Sequence, residues 1–148
     1  MRRVAALVAV SLLTACATPA PSGPDAPTPH ADSDDCAVIA AIAIGHYRFN
    51  DTDNRPLPIR FEGDYAPRCQ WSRYGLAFQA YDPDAPGDPR QRMRWVSFAR
   101  PVYGANHAVI ETGIMHGPLA GMGYECRVEY SDFAGWALLG ECRNTWVS

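Results

Sequence analysis

Tyr124-Glu-Cys-Arg-Val-Glu-Tyr130, then Ser131-Asp-Phe-Ala-Gly135, then Trp136-Ala-Leu-Leu-Gly-Glu-Cys142, is the stretch on which the fold turns. Tyr124, Cys126, Val128 and Tyr130 alternate with Glu125, Arg127 and Glu129. A period of two puts the apolar set on one face of a strand and the charged set in water. Phe133-Ala134-Gly135 reads as a three-residue hairpin loop, with Gly135 at the left-handed position. The returning strand then sets Asp132 opposite Trp136, Tyr130 opposite Leu138 and Cys126 opposite Cys142. Directly opposed residues have Cα atoms about 4.5–5.5 Å apart, within the range a disulfide accepts. Trp136, Leu138, Cys142 and Trp146 share one parity, so one final strand is expected to carry all four.

The same period recurs elsewhere in the chain. Tyr74, Leu76, Phe78 and Ala80 alternate with smaller or polar residues. Val96, Phe98 and Val102 alternate with Trp95, Ser97, Ala99 and Tyr103, and 107–115 reads as a further strand. Ile59-Arg60-Phe61 adds a short early strand. Turn residues separate these runs at 82–89, 104–106, 117–121 and 132–135. Only Cys36-Ala-Val-Ile-Ala-Ala-Ile-Ala-Ile-Gly45 changes period. Val38, Ala41, Ile42, Gly45 and Phe49 recur at helical spacing as a buried stripe. Ser33, Asp34 or Asp35 would cap this helix, and Asp51-Thr-Asp-Asn54 would end it. The expected fold is α+β: one N-terminal helix on a 5–6-stranded antiparallel meander with two disulfides.

The chain has 148 residues, and its thirteen basic residues are all arginine. From Cys36 onward eleven arginines face twelve carboxylates. A near-neutral domain argues against nucleic acid as a default partner, since phosphate neutralisation needs a concentrated basic surface, and no nucleic-acid partner is expected. Four of the five cysteines, Cys36, Cys69, Cys126 and Cys142, form the even set of an exported domain. If Cys126 pairs with Cys142, Cys36 and Cys69 remain to staple the helix to the following loop.

The fifth cysteine stands apart. Met1-Arg2-Arg3 is a positive start, Val4 to Leu13 a short apolar run, and Leu13-Thr14-Ala15-Cys16 follows. This layout is that of an export leader, too short to span a bilayer. Leu13-Thr14-Ala15-Cys16 resembles the lipobox of bacterial lipoproteins. The resemblance implies cleavage before Cys16 by signal peptidase II and acylation of Cys16. Ala17, not the aspartate linked to inner-membrane retention in some lineages, points to an outer-membrane anchor facing the periplasm. Residues 1–15 would be the signal peptide, 16–35 a lipidated proline-rich tether, and 36–148 one globular domain. At about 3 Å per residue, the tether would hold the domain up to roughly 55 Å from the lipid. Gly117-Pro-Leu-Ala-Gly121-Met-Gly123, with the terminal Trp146-Val-Ser148, also resembles the end of various small bacterial proteins, a resemblance that points to no particular activity.

Catalytic motifs are sparse. Ser72, Ser97 and Ser131 lack the Gly-x-Ser-x-Gly elbow, and the bridges leave no free thiol. Gly117–Gly123 leads into a strand rather than a helix, so it is a turn and not a phosphate loop. Asp82, Asp84 and Asp88 lie in a proline-stiffened loop without the glutamate and helices of a calcium hand. His107 and His116 stand at opposite ends of one strand, about 30 Å apart, and no metal or cofactor is expected. Glu111, a carboxylate in an apolar strand, and Glu62 are the acid/base candidates of a cell-wall or lipid hydrolase. Arginine and aromatic residues interleave at Arg68, Trp71, Arg73 and Tyr74, and again at Arg92, Arg94 and Trp95. Such surfaces stack rings and grip anions; otherwise both tryptophans are core residues beside solvated arginines. The expected function is non-enzymatic: a lipid-anchored envelope protein binding a protein partner or envelope polymer. A hydrolase and an inhibitor or immunity-type lipoprotein are the alternatives.

Overall fold

The computed structural model describes residues 32–51 and 53–148. The leader, Cys16 and the tether as far as residue 31, with His30, lie outside the described residues. The elements are a helix α1 (Asp32–Gly45), seven strands and a one-turn helix α2 (Pro89–Arg92). The strands are β1 (Ile59–Phe61), β2 (Trp95–Phe98), β3 (Val102–Tyr103), β4 (His107–Met115), β5 (Gly121–Ser131), β6 (Gly135–Leu138) and β7 (Arg143–Val147). They form a single sheet along the order β1-β2-β4-β5-β6, with β3 added to β4 and β7 to β5.

The centre is the expected meander, since β2, β4, β5 and β6 lie side by side and pair antiparallel. The sheet as a whole is mixed, because β1 runs parallel to β2. A parallel pair needs a long crossover, and segment 62–94 supplies one. The alternating run 74–80 is not a strand. A 3-10 turn spans Trp71–Tyr74, and Ala80 alone bridges to Ile59. Its alternation reflects burial without pairing: Leu76 is buried, and Phe78 packs against the core.

On β4 the even positions Ala108, Ile110, Thr112 and Ile114 are buried, and Cys126 and Val128 of β5 join them. Helix α1 packs on this face, over β5 and β6. Its buried set is wider than a stripe: Val38, Ile39, Ala40, Ile42 and Ala43 are all covered. Ala41 is only partly buried and Gly45 is exposed. A side chain at Gly45 would meet Leu138 at 3.2 Å, so its bareness lets the helix end approach β6. The helix stops at Gly45, before the expected Asp51–Asn54 terminator, and Asn54 instead donates Nδ2 to the Tyr47 carbonyl at 2.7 Å. It starts inside the expected tether, which puts Asp34 and Asp35 in its first turn rather than at a cap. Asp35 is buried there and accepts from the Tyr65 and Tyr103 hydroxyls. One carboxylate thus ties the helix start to the crossover and to β3, at the helix end where negative charge is favoured.

Two interruptions change which face a side chain takes. Between β2 and β3 the register along β4 slips by one, from Phe98↔Thr112 to Val102↔Val109. Val102 is consequently 72% exposed, while Tyr103 packs on the core in the place expected of Val102. The expected final strand is broken into β6 and β7. At the hairpin, Tyr130 faces Trp136 and Val128 faces Leu138, two residues from the expected register. Leu139-Gly140 takes up the difference, with Gly140 at φ +69°. Tyr124↔Asn144 and Glu125↔Arg143 then restore the register that sets Cys126 against Cys142. Both bridges form, Cys36–Cys69 and Cys126–Cys142, with Cα separations of 5.4 and 4.4 Å. A bulge between Gly123 and Tyr124 then turns Trp146 away from the parity of Trp136 and Leu138, onto the opposite face of the sheet.

Candidate functional site

That opposite face is the one α1 does not cover. Its rows follow from the register: Ser97, Gly113, Gly123 and Trp146 in one, and Glu111, Glu125 and Arg143 in the next. Three glycines strip it of side chains where Trp146 lies. A Cβ on Gly113 would stand 3.2 Å from the indole and one on Gly121 3.0 Å, while one on Gly123 would overlap the ring. The indole therefore rests on bare backbone, fixed in place although 43% of its surface remains exposed. A groove of about 230 Å³ runs beside it, lined by Glu62, Ser97, Glu111, Thr145 and Trp146 among others.

The charges in the groove are set by cross-strand pairing. Glu111 and Glu125 stand directly opposite each other, an unfavourable pairing of like charges. Arg143 engages Glu125 at 3.0 Å, which relieves that repulsion and leaves Glu111 to the groove. The Ser97 hydroxyl faces Gly113, and the Ser97 carbonyl accepts from Thr112 at 2.6 Å, which holds the strand pair in register. The lining thus offers the Trp146 and Tyr124 rings, the Ser97 and Thr145 hydroxyls and two carboxylates in an open groove. It can stack a ring and accept hydrogen bonds from hydroxyl groups. A general acid working at neutral pH sits in a dry, apolar setting; Glu62 and Glu111 are both exposed.

The arginine–aromatic clusters separate. Trp71 packs edge-on against Phe78 at 5.1 Å and Tyr74 also lies against the core, both partly buried, with Arg68 and Arg73 exposed beside them. Trp95 lies on the other face, where the Arg60 guanidinium stands 5.1 Å above its ring. Arg92 donates to the Ala85 carbonyl at 3.3 Å and Arg94 to Gln91. The two clusters therefore do not form one patch. Asp82 and Asp88 accept from nearby backbone amides of their own loop, the local turn role expected of them. Among the described residues no group of three or more His, Cys, Asp or Glu side chains could hold a metal ion. No helix among them is long and apolar enough to cross a membrane.

Sequence reasoning found Glu62, Glu111 and Trp95 but missed that Glu62 and Glu111 share a groove with Ser97 and Trp146. One signal was present. Gly121 and Gly123 have the same parity on one strand, and a strand that sheds its side chains on one face marks a close approach. No protein-family model, no curated protein sequence and no solved structure matches the chain.

Proposed function

We propose that the protein is a lipid-anchored, non-enzymatic component of the cell envelope that binds a hydroxyl-rich envelope polymer on its open sheet face. The observation that carries this reading is Trp146, seated on a glycine floor beside Glu62, Ser97 and Glu111. An indole face gives a sugar ring an apolar surface, and the flanking carboxylates and hydroxyls take its hydroxyl groups. A preformed plane loses little conformational freedom on binding, so affinity comes without ordering cost. Tethering through Cys16 raises the local concentration of polymer, so a weak groove suffices. The test is co-sedimentation of the protein with purified cell-wall sacculi. Binding is expected, with Trp146→Ala abolishing it and Glu111→Gln weakening it. Equal binding by wild type and Trp146→Ala would overturn the reading. Anchoring has its own test: Cys16→Ser should release the protein from the membrane fraction and remove the mass of the acyl chains.

A hydrolase is the second reading, favoured by the meeting of Glu62 and Glu111 in one groove. It requires turnover of glycan or lipid by the purified protein, lost in Glu111→Gln while binding persists. Exposure of both carboxylates favours recognition over acid catalysis. An inhibitor or immunity role would use the same face against a protein, and would appear as a stoichiometric partner that competes with sacculi for Trp146.

A further inference from the structure

A second cavity, of about 260 Å³, opens on the helix side of the sheet, between the end of α1 and the β4–β5 hairpin. Its basic side chains come from four separate stretches: His46 just past α1, Arg55 in the loop before β1, Arg94 before β2, and His116 beyond β4. No carboxylate lines it among the described residues. The whole chain carries a formal net charge of −3, so this gathering of basic groups is local and not a consequence of composition. His107 opens β4 and His116 lies just past its end, where it lines the same cavity as His46.

The protein leaves these donors largely uncommitted. Arg94 has one long contact to Gln91, at 3.4 Å, and no salt bridge among the described residues engages Arg55 or Arg94. The Tyr124 hydroxyl donates only to the Met122 thioether, at 3.3 Å. Thioether sulfur is a weak acceptor, so an oxyanion would take that proton readily. Tyr124 also packs edge-on against the His46 ring at 4.4 Å, which fixes one wall. Burial lowers the affinity of His46 for a proton, so it enters as a neutral group beside two permanent guanidinium charges.

We propose that this cleft binds a phosphate monoester group, held between Arg55 and Arg94 with Tyr124 and His116 completing the donor set. Two fixed positive charges match a dianion. Guanidinium groups from two separate segments, with a hydroxyl and an imidazole, offer more donors than a two-oxygen carboxylate can use, whereas phosphate has three peripheral oxygens. Ligand pockets usually hold about 300–1,000 Å³, so a smaller cleft suits a headgroup and not an extended ligand. The group would be a soluble phosphate ester or the terminal phosphate of a lipid. Tyr124 also lines the Trp146 groove, but none of the arginines and histidines invoked here does, so the site does not depend on the function proposed above.

The experiment is titration of the full-length chain, in micelles of a neutral detergent, with inorganic phosphate and with glycerol 3-phosphate, followed by calorimetry. A parallel arm measures binding to phosphatidylcholine vesicles with and without phosphatidic acid. Saturable binding at a Kd of about 1 mM or tighter is expected. Arg55→Gln and Arg94→Gln should each weaken it about tenfold or more, whereas Arg143→Gln, on the other face, should leave it unchanged. A gain only with phosphatidic acid vesicles assigns the phosphate to lipid; a gain with the soluble esters assigns it to a small molecule. Either supports the site. Absence of binding in both arms, equal competition by acetate at matched ionic strength, or an equal loss in Arg143→Gln would overturn it.

Discussion

Replacing Gly123 by alanine should unseat Trp146, and the cost can be worked from the packing. The backbone of Gly123 lies outside the left-handed region, so alanine is not strained there by conformation. The difficulty is steric, because the new Cβ would overlap the indole. Trp146 is 43% exposed, so somewhat more than half of it is covered. A tryptophan side chain buries up to about 250 Å², and half of that at about 25 cal/mol per Å² comes to roughly 3 kcal/mol. Alanine recovers about 0.5–1 kcal/mol in the unfolded chain, which leaves a net loss of about 2 kcal/mol. Equilibrium urea unfolding monitored by tryptophan emission measures it, and the native spectrum should shift red as the indole enters water. Two neighbours grade the effect. Gly121→Ala meets the flexible end of Met115 and approaches the indole at 3.0 Å, and Gly113→Ala approaches it at 3.2 Å. Losses should fall in the order Gly123, Gly121, Gly113. In a Trp146→Ala background the Gly123→Ala cost should vanish. Persistence of the full cost there, or an unchanged emission spectrum in the single variant, would refute the seat on which the proposed groove depends.

Other consequences follow from the same contacts. Removing the Cys36–Cys69 bridge, with sequence separation 33, should cost roughly 4 kcal/mol, and removing Cys126–Cys142, with separation 16, roughly 3 kcal/mol; paired serine variants compared in urea test the order. Asp35→Ala deletes the acceptor of two tyrosine hydroxyls and should destabilise the fold by about 2–4 kcal/mol, with Tyr103→Phe costing about half as much. Burial holds the pKa of His46 below its ordinary value, so at mildly acidic pH the unfolded chain binds the proton that the folded chain resists. Stability from this group is therefore complete above about pH 6.5 and declines as pH falls below it. A melting-temperature drop between neutral and mildly acidic buffer, reduced in His46→Gln, is the expected result.

Much of the fold was legible because it rests on local alternation. Strand β4 occupies the expected 107–115 span, and 124–130 lies within β5. Gly135 takes the left-handed turn position, at φ +67°. The disulfide partners also came through, although the hairpin register differed by two, because Leu139-Gly140 absorbs the slip before Cys142. Helix α1 was legible as an apolar segment, but not its orientation, since its apolar residues surround the axis and no stripe marks one face. Run 74–80 misled because residues that point alternately inward satisfy the pattern without any partner strand. Of the candidate site residues, Trp95 lies on the open face with Arg60, and Trp71 is partly buried against the core.

Periodicity, turn chemistry and cysteine count are properties of neighbouring residues, so they located the helical segment, the 107–115 and 124–130 strands and the apolar faces of those strands, but not the state of 74–80 or the break in the final strand. The folded chain alone decided which of those faces meet. The parallel return of β1, the one-residue slip before Val102 and the bulge at Gly123 each depend on contacts between distant segments. A one-residue shift in a strand reverses every side chain after it. That reversal is what carries Trp146 out of the core and onto the glycine floor beside Glu62 and Glu111.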